Sequence, residues 1–159
     1  MDFDPEDRQY RHYRGQVSKQ IILPYFQKVI LQGQYLTGSH LDRFSKFQFG
    51  FFDTRVHGFS GSGVRFDRGY TASASYNFNL ASVVRFDATL DWARIRNDDL
   101  GSLDPSLAGY QGFAGVGLAG NFMGPWNTVI QFDYGIAVQS DIPGLKGDQE
   151  IEFVLLKFF

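Results

Sequence analysis

Residues 126–139 read WNTVIQFDYGIAVQ, and their reading decides the fold. Trp126, Thr128, Ile130, Phe132, Tyr134, Ile136 and Val138 fall on one face of an extended chain. Asn127, Val129, Gln131, Asp133, Gly135, Ala137 and Gln139 fall on the other. Successive side chains of a strand point to opposite faces, so this is an unbroken period of two. The stretch is long for one strand, since soluble strands usually run to about 5–6 residues.

The same period extends outward. Across 69–80, Tyr70, Ala72, Ala74, Tyr76, Phe78 and Leu80 oppose Thr71, Ser73, Ser75, Asn77 and Asn79. Across 82–96, Val84, Phe86, Ala88, Leu90 and Trp92 oppose Arg85, Asp87, Thr89 and Asp91. Residues 108–121 are glycine-rich but keep Tyr110, Ala114, Val116 and Leu118 on one side. Phe47, Phe49 and Phe51 alternate with Lys46, Gln48 and Gly50. Weaker strands are expected at 10–22 and 25–36, and a last one at 149–159. The expectation is therefore an all-β, antiparallel fold with eight strands in a single domain over 1–159, residues 1–9 being disordered. Its connections alternate: 79–82 and 121–125 are tight, whereas 54–67, 97–107 and 140–148 are long. Short turns on one rim and long loops on the other are the asymmetry of transmembrane β-barrels.

Composition narrows the function classes. With 15 Lys and Arg against 17 Asp and Glu, the chain has no basic excess, so no nucleic-acid partner is expected. It has no cysteine, which removes disulfides, thiolate catalysis and thiolate zinc sites. His12, His40 and His57 show no metal-ligand spacing, so neither a metal nor another cofactor is expected. No run of about 18 apolar residues is present, so no transmembrane helix is expected, but barrel strands alternate and escape that test. The start, MDFDPEDRQYRHYR, has no apolar stretch, and no signal peptide is expected within this sequence.

Alternation alone leaves the direction of the apolar face open. A lipocalin-type barrel holds it inside around a ligand, and a soluble sandwich solvates its polar face. Strand length favours a membrane, and so do aromatic residues near strand ends (Tyr70, Phe78, Trp92, Tyr110, Phe122, Trp126). Charges such as Arg85, Asp87, Asp91 and Asp133 on the polar face suit a wet lumen.

Three further segments carry a resemblance. Val56-His57-Gly58-Phe59 sits in the long loop, Thr89-Leu90-Asp91-Trp92-Ala93 lies two strands later, and IEFVLLKFF ends the chain. In order and spacing the last 110 or so residues resemble the carboxy-terminal half of the barrel of the Omp85 superfamily, the D15-type bacterial surface antigens. The first segment is similar to the family's VRGF/Y loop tip, the second to its FxDxG segment, the third to a terminal strand recognised by barrel assembly machinery. His57 stands where the family has Arg, and Thr89 and Ala93 replace its Phe and Gly. The resemblance implies half of a sixteen-stranded transmembrane barrel in the outer membrane of a Gram-negative bacterium, taking part in protein insertion or translocation. It implies a loop-to-wall contact of His57, Gly58 and Phe59 with Asp91, and a strand signal carried by Phe153, Leu155 and Phe159. The implied partners are outer-membrane lipids, the assembly machinery, and a second barrel half or a second copy. The alternatives are a free-standing, closed eight-stranded outer-membrane protein of structural or adhesive role, and a soluble ligand-binding barrel. A closed barrel of that size has a lumen filled by side chains, which would push the 54–67 loop outside.

Other motifs have bland readings. Gly115, Gly117 and Gly120 spell GxGxxG, but NFMGPW follows instead of a helix, so close strand packing is expected rather than a dinucleotide site. Gly58 to Gly63 lacks a following Gly-Lys-Ser/Thr and reads as a loop tip. Arg55 or Arg65 is available to stand in for the family arginine. Glu150 and Glu152 share a face, where lumen solvation explains them better than acid–base work. No catalytic residue, and no enzyme activity, is expected.

Overall fold

The computed structural model describes residues 10–42, 44–50, 54–81, 83–98, 109–125 and 128–157. The alternating segments become β1 (Arg11–Ile22), β2 (Lys28–Ser39), β5 (Arg68–Ala81), β6 (Val84–Arg96), β7 (Gln111–Gly124), β8 (Thr128–Ser140) and β9 (Gln149–Lys157). Between β2 and β5 lie two short strands, β3 (Phe47–Gln48) and β4 (Arg65–Phe66). The seven long strands form one sheet in the order β1-β2-β5-β6-β7-β8-β9. Every neighbouring pair is antiparallel. β3 and β4 pair in a separate hairpin. The protein is all-β and antiparallel.

Among the described residues the main sheet has seven strands rather than the eight expected. Phe47 alternates with its neighbours as a sheet strand would, but it pairs with Phe66 inside the long connection, not with the main sheet. Two residues of alternation are enough for a hairpin, and only the partner distinguishes the cases. The 121–125 turn is also corrected: Asn121, Phe122 and Met123 continue β7 against β6 and β8, and the chain turns after Gly124. Phe51, Trp126, Phe159 and residues 1–9 lie outside the described residues. β1 and β9 are the two ends of the sheet, and among the described residues they do not pair with each other. Apart from β9, the long strands run 12 to 14 residues, beyond the roughly 9–11 that cross a bilayer when tilted.

Because side chains alternate, the sheet has two unlike faces. One carries the long 40–67 connection, which folds back over it. Phe49, Val56, Phe59 and Phe66 of the connection are at most 1% exposed, packed with Leu36, Ala93, Ile95, Phe113 and Ala137 of the sheet. Phe113 stands nearly perpendicular to two loop rings, Phe49 and Phe59, with centres 5.2 Å apart in each pair, a favoured aromatic geometry. Thus the described hydrophobic core lies between loop and sheet. The base of the connection is held by polar bonds. Gly38 N–H donates to Asp67 O at 2.8 Å and Asp67 N–H to Arg96 O at 3.0 Å. The buried Lys46 ammonium donates to Asp67 Oδ2 at 3.1 Å and Asn97 Oδ1 at 2.7 Å, which offsets the cost of burying its charge.

The opposite face is apolar and bare. Leu90, Trp92, Leu118, Phe122, Phe132 and Phe153 are all at least 36% exposed. Among the described residues the charges on this face are Lys19, on the edge strand β1, and those nearer the strand ends, such as Arg94 on β6 and Lys157 on β9.

Candidate functional site

The turn at residues 56–62 places the loop tip. Phe59 N–H donates to Val56 O at 3.1 Å and Ser62 N–H to Phe59 O at 3.0 Å. Gly58 between them has φ +85°, a conformation that glycine adopts without steric cost. This turn sets His57 against the sheet, where it is 6% exposed. Its backbone N–H donates to Asp91 Oδ2 at 3.0 Å. Its ring Nδ1 makes a short hydrogen bond to the same oxygen. Nε2 lies 3.5 Å from Asp133 Oδ1 on β8.

Arg55 extends the cluster. Its Nη2 is 2.9 Å from Asp133 Oδ2 and 3.9 Å from Glu150 Oε1 on β9. Glu150 Oε2 accepts the Ser60 N–H at 2.9 Å. Three wall carboxylates, from β6, β8 and β9, therefore face two loop cations. The wall is also cut back to admit them. A Cβ at Gly117 would strike the His57 ring, one at Gly115 the His57 carbonyl, and one at Gly135 the Gly58 amide nitrogen. The GxGxxG spelling thus has a physical reading: Gly115 and Gly117 let the loop backbone and imidazole lie directly on the sheet.

The structure brings His57, Gly58, Phe59 and Asp91 together. It does not bring Phe153 and Leu155 to them: both lie on the apolar face of β9, 66% and 63% exposed. Phe159 is outside the described residues. Arg65 is not in the cluster; its guanidinium lies 5.9 Å from the centre of the Phe44 ring. The sequence reading placed Asp133 and Glu150 on the polar face but did not connect them to the loop. Their alternation was the available signal; no local spacing joins them to Arg55 or Ser60.

Electrostatics favours a charged His57, which lies on the connection rather than on a spanning strand. Burial works against the charge, but hydrogen bonds to Asp133 and Asp91 and the charge of Asp91 outweigh burial and the opposing Arg55, so the pKa is pushed up to about 9. A raised folded-state pKa contributes stability that is fully present below the unfolded value near 6.5 and is lost as pH rises through about 9. The groups facing the ring are Asp91, Asp133 and Arg55. Loop docking is expected to weaken by roughly 2–3 kcal/mol between pH 6.5 and 10. Thermal unfolding followed across that range checks this. H57R should flatten the dependence, because guanidinium stays charged throughout; an unchanged slope in H57R would assign the pH dependence elsewhere.

What the arrangement can do chemically is clamp a loop onto a wall by charge. Among the described residues no group of three or more His, Asp or Glu could hold a metal ion. No family model matches the chain, and no curated protein matches it.

Proposed function

We propose that this chain forms part of an outer-membrane β-barrel of the Omp85 or surface-antigen type, taking part in protein insertion or translocation. The observation that carries this reading is the unlike pair of faces. A soluble ligand-binding barrel would turn its apolar face toward a ligand; here the apolar face is exposed, and the charged face holds the loop. An apolar band on the outside and charges within are what a bilayer and a wet lumen demand. The contact of Val56-His57-Gly58-Phe59 with Asp91 supports the family resemblance, because it joins the two segments that carry it.

Among the described residues, seven strands with two unpaired ends leave room for further strands, which a second barrel segment or a second copy would supply. In that reading β9 also offers its free edge to the assembly machinery by strand addition. The mechanism has no chemical step: client strands pair with an exposed edge while the clamped loop holds the wall in shape.

The experiment is native mass and heat-modifiable gel mobility of the chain refolded in detergent, with insertion into vesicles followed by protease protection. The expected result is protected strands in a dimer or larger edge-paired species. A compact monomer that inserts would overturn the segment reading in favour of a free-standing barrel. A chain that remains soluble without detergent and leaves vesicles untouched would overturn the membrane reading itself.

A further inference from the structure

The exposed apolar face is not uniform. A groove of about 470 Å³ runs across β1, β2, β5 and β6, within the size range of small-molecule sites. Ala72 and Ala74 lie low between Val17 and Leu31 on one side and Leu90 and Trp92 on the other. Lys19 also lines it, from the edge strand. The small alanine side chains leave the depth that the larger neighbours wall in.

One end of this groove meets cations. Two residues beyond Trp92 on the same strand and face is Arg94, exposed and paired across the ladder with Tyr70. One step nearer the rim, Arg68 pairs across the ladder with Arg96. Asp98 binds both, at 2.9 and 2.7 Å, and so holds the two guanidinium groups side by side. The nearby Asp141 carboxylate accepts the Gly112 N–H at 2.6 Å. Among the described residues, three arginines stand against these two carboxylates at this end. Tyr70 and Trp92, with ring centres 5.5 Å apart, lie between cations and groove, the position aromatic side chains take at a membrane–water interface.

We propose that this groove seats one acyl chain of a lipid with an anionic phosphate headgroup, the phosphate meeting Arg94 and the Arg68–Arg96 pair. The inference rests on the membrane reading above and adds a specific lipid site to it. Charge complementarity selects the occupant. Arg68 and Arg96 already share Asp98, and Arg94 stands exposed beside them. A neutral lipid or an apolar protein segment would use the groove but bring no anion to this end, whereas a phosphate brings oxygens that guanidinium groups bind in a fork.

The test is native mass spectrometry of the full chain in detergent, after incubation with dipalmitoyl phosphatidylglycerol or with dipalmitoylglycerol, which has the same chains and no phosphate. One phosphatidylglycerol per chain is expected to survive, with about tenfold preference over the neutral lipid. R94Q should remove most of that preference. A74F should fill the groove and reduce retention of both lipids while leaving the arginines intact. Heat-modifiable mobility verifies that each variant still folds. Equal retention of the two lipids by the wild-type chain, or unchanged retention in A74F, overturns the site while leaving the barrel reading standing. A chain that does not insert into vesicles overturns both.

Discussion

Replacing Asp91 with alanine is expected to release the 54–67 loop from the sheet. Asp91 is 3% exposed and accepts both the backbone N–H and the ring of His57 through one oxygen. Its removal would leave a buried imidazolium with only Asp133, at 3.5 Å, as its facing carboxylate. Breaking a buried pair on one side costs roughly 3–5 kcal/mol, because the remaining charge has lost its compensation. The remaining Asp133 contact sets the expectation at the lower end, about 3 kcal/mol. Trypsin reports it directly, since Arg55 and Arg65 lie within the loop: D91A should be cut there at least tenfold faster than the parent chain. D91N, which keeps an acceptor but loses the charge, should fall between the two. Equal trypsin resistance in D91A and the parent would remove the clamp from this account.

The second large effect is expected at Gly58. Its φ of +85° already disfavours any L side chain, by about 1–2 kcal/mol. The position is also closed sterically, because a Cβ would overlap the Ala137 amide nitrogen and the Ile136 carbonyl carbon. Those atoms belong to β8 backbone and cannot rotate away as a side-chain tip would. G58A should therefore cost more than the conformational term alone, about 3 kcal/mol or more, and undock the loop tip. G61A is the internal control: it lies in the same loop, yet a Cβ there meets nothing within 4 Å. Denaturant unfolding of the two variants separates backbone fit from a general intolerance of the loop. If G58A and G61A unfold alike, the close approach to β8 contributes little.

The long strands were legible because each is a local pattern. Ile130, Phe132 and Tyr134 face one way and Gln131 and Asp133 the other whatever the rest of the chain does. Phe47 and Phe49 show where that logic stops. Their alternation is as clean, but β3 is short and belongs to the loop, and a two-residue pattern does not name its partner. Asn121 to Met123 were misread for the converse reason: turn-prone residues such as Asn and Gly extend a strand when both neighbouring strands continue beside them.

The candidate site divides in the same way. His57 and Asp91 were paired through a resemblance between short motifs, not through their spacing. Arg55 and Ser60 are far in sequence from Asp133 and Glu150, Ser60 and Glu150 being 90 residues apart. By itself the sequence determined the period of two, the unlike faces it produces, and the glycine at the loop tip, since these depend on neighbours along the chain. Only the tertiary structure decided that Phe47 joins a hairpin, that Gly115 and Gly117 are gaps made for His57, and that three strands each lend a carboxylate to one loop. Those outcomes depend on which strands lie side by side beneath the loop, and strand adjacency is fixed by the packing of the whole sheet.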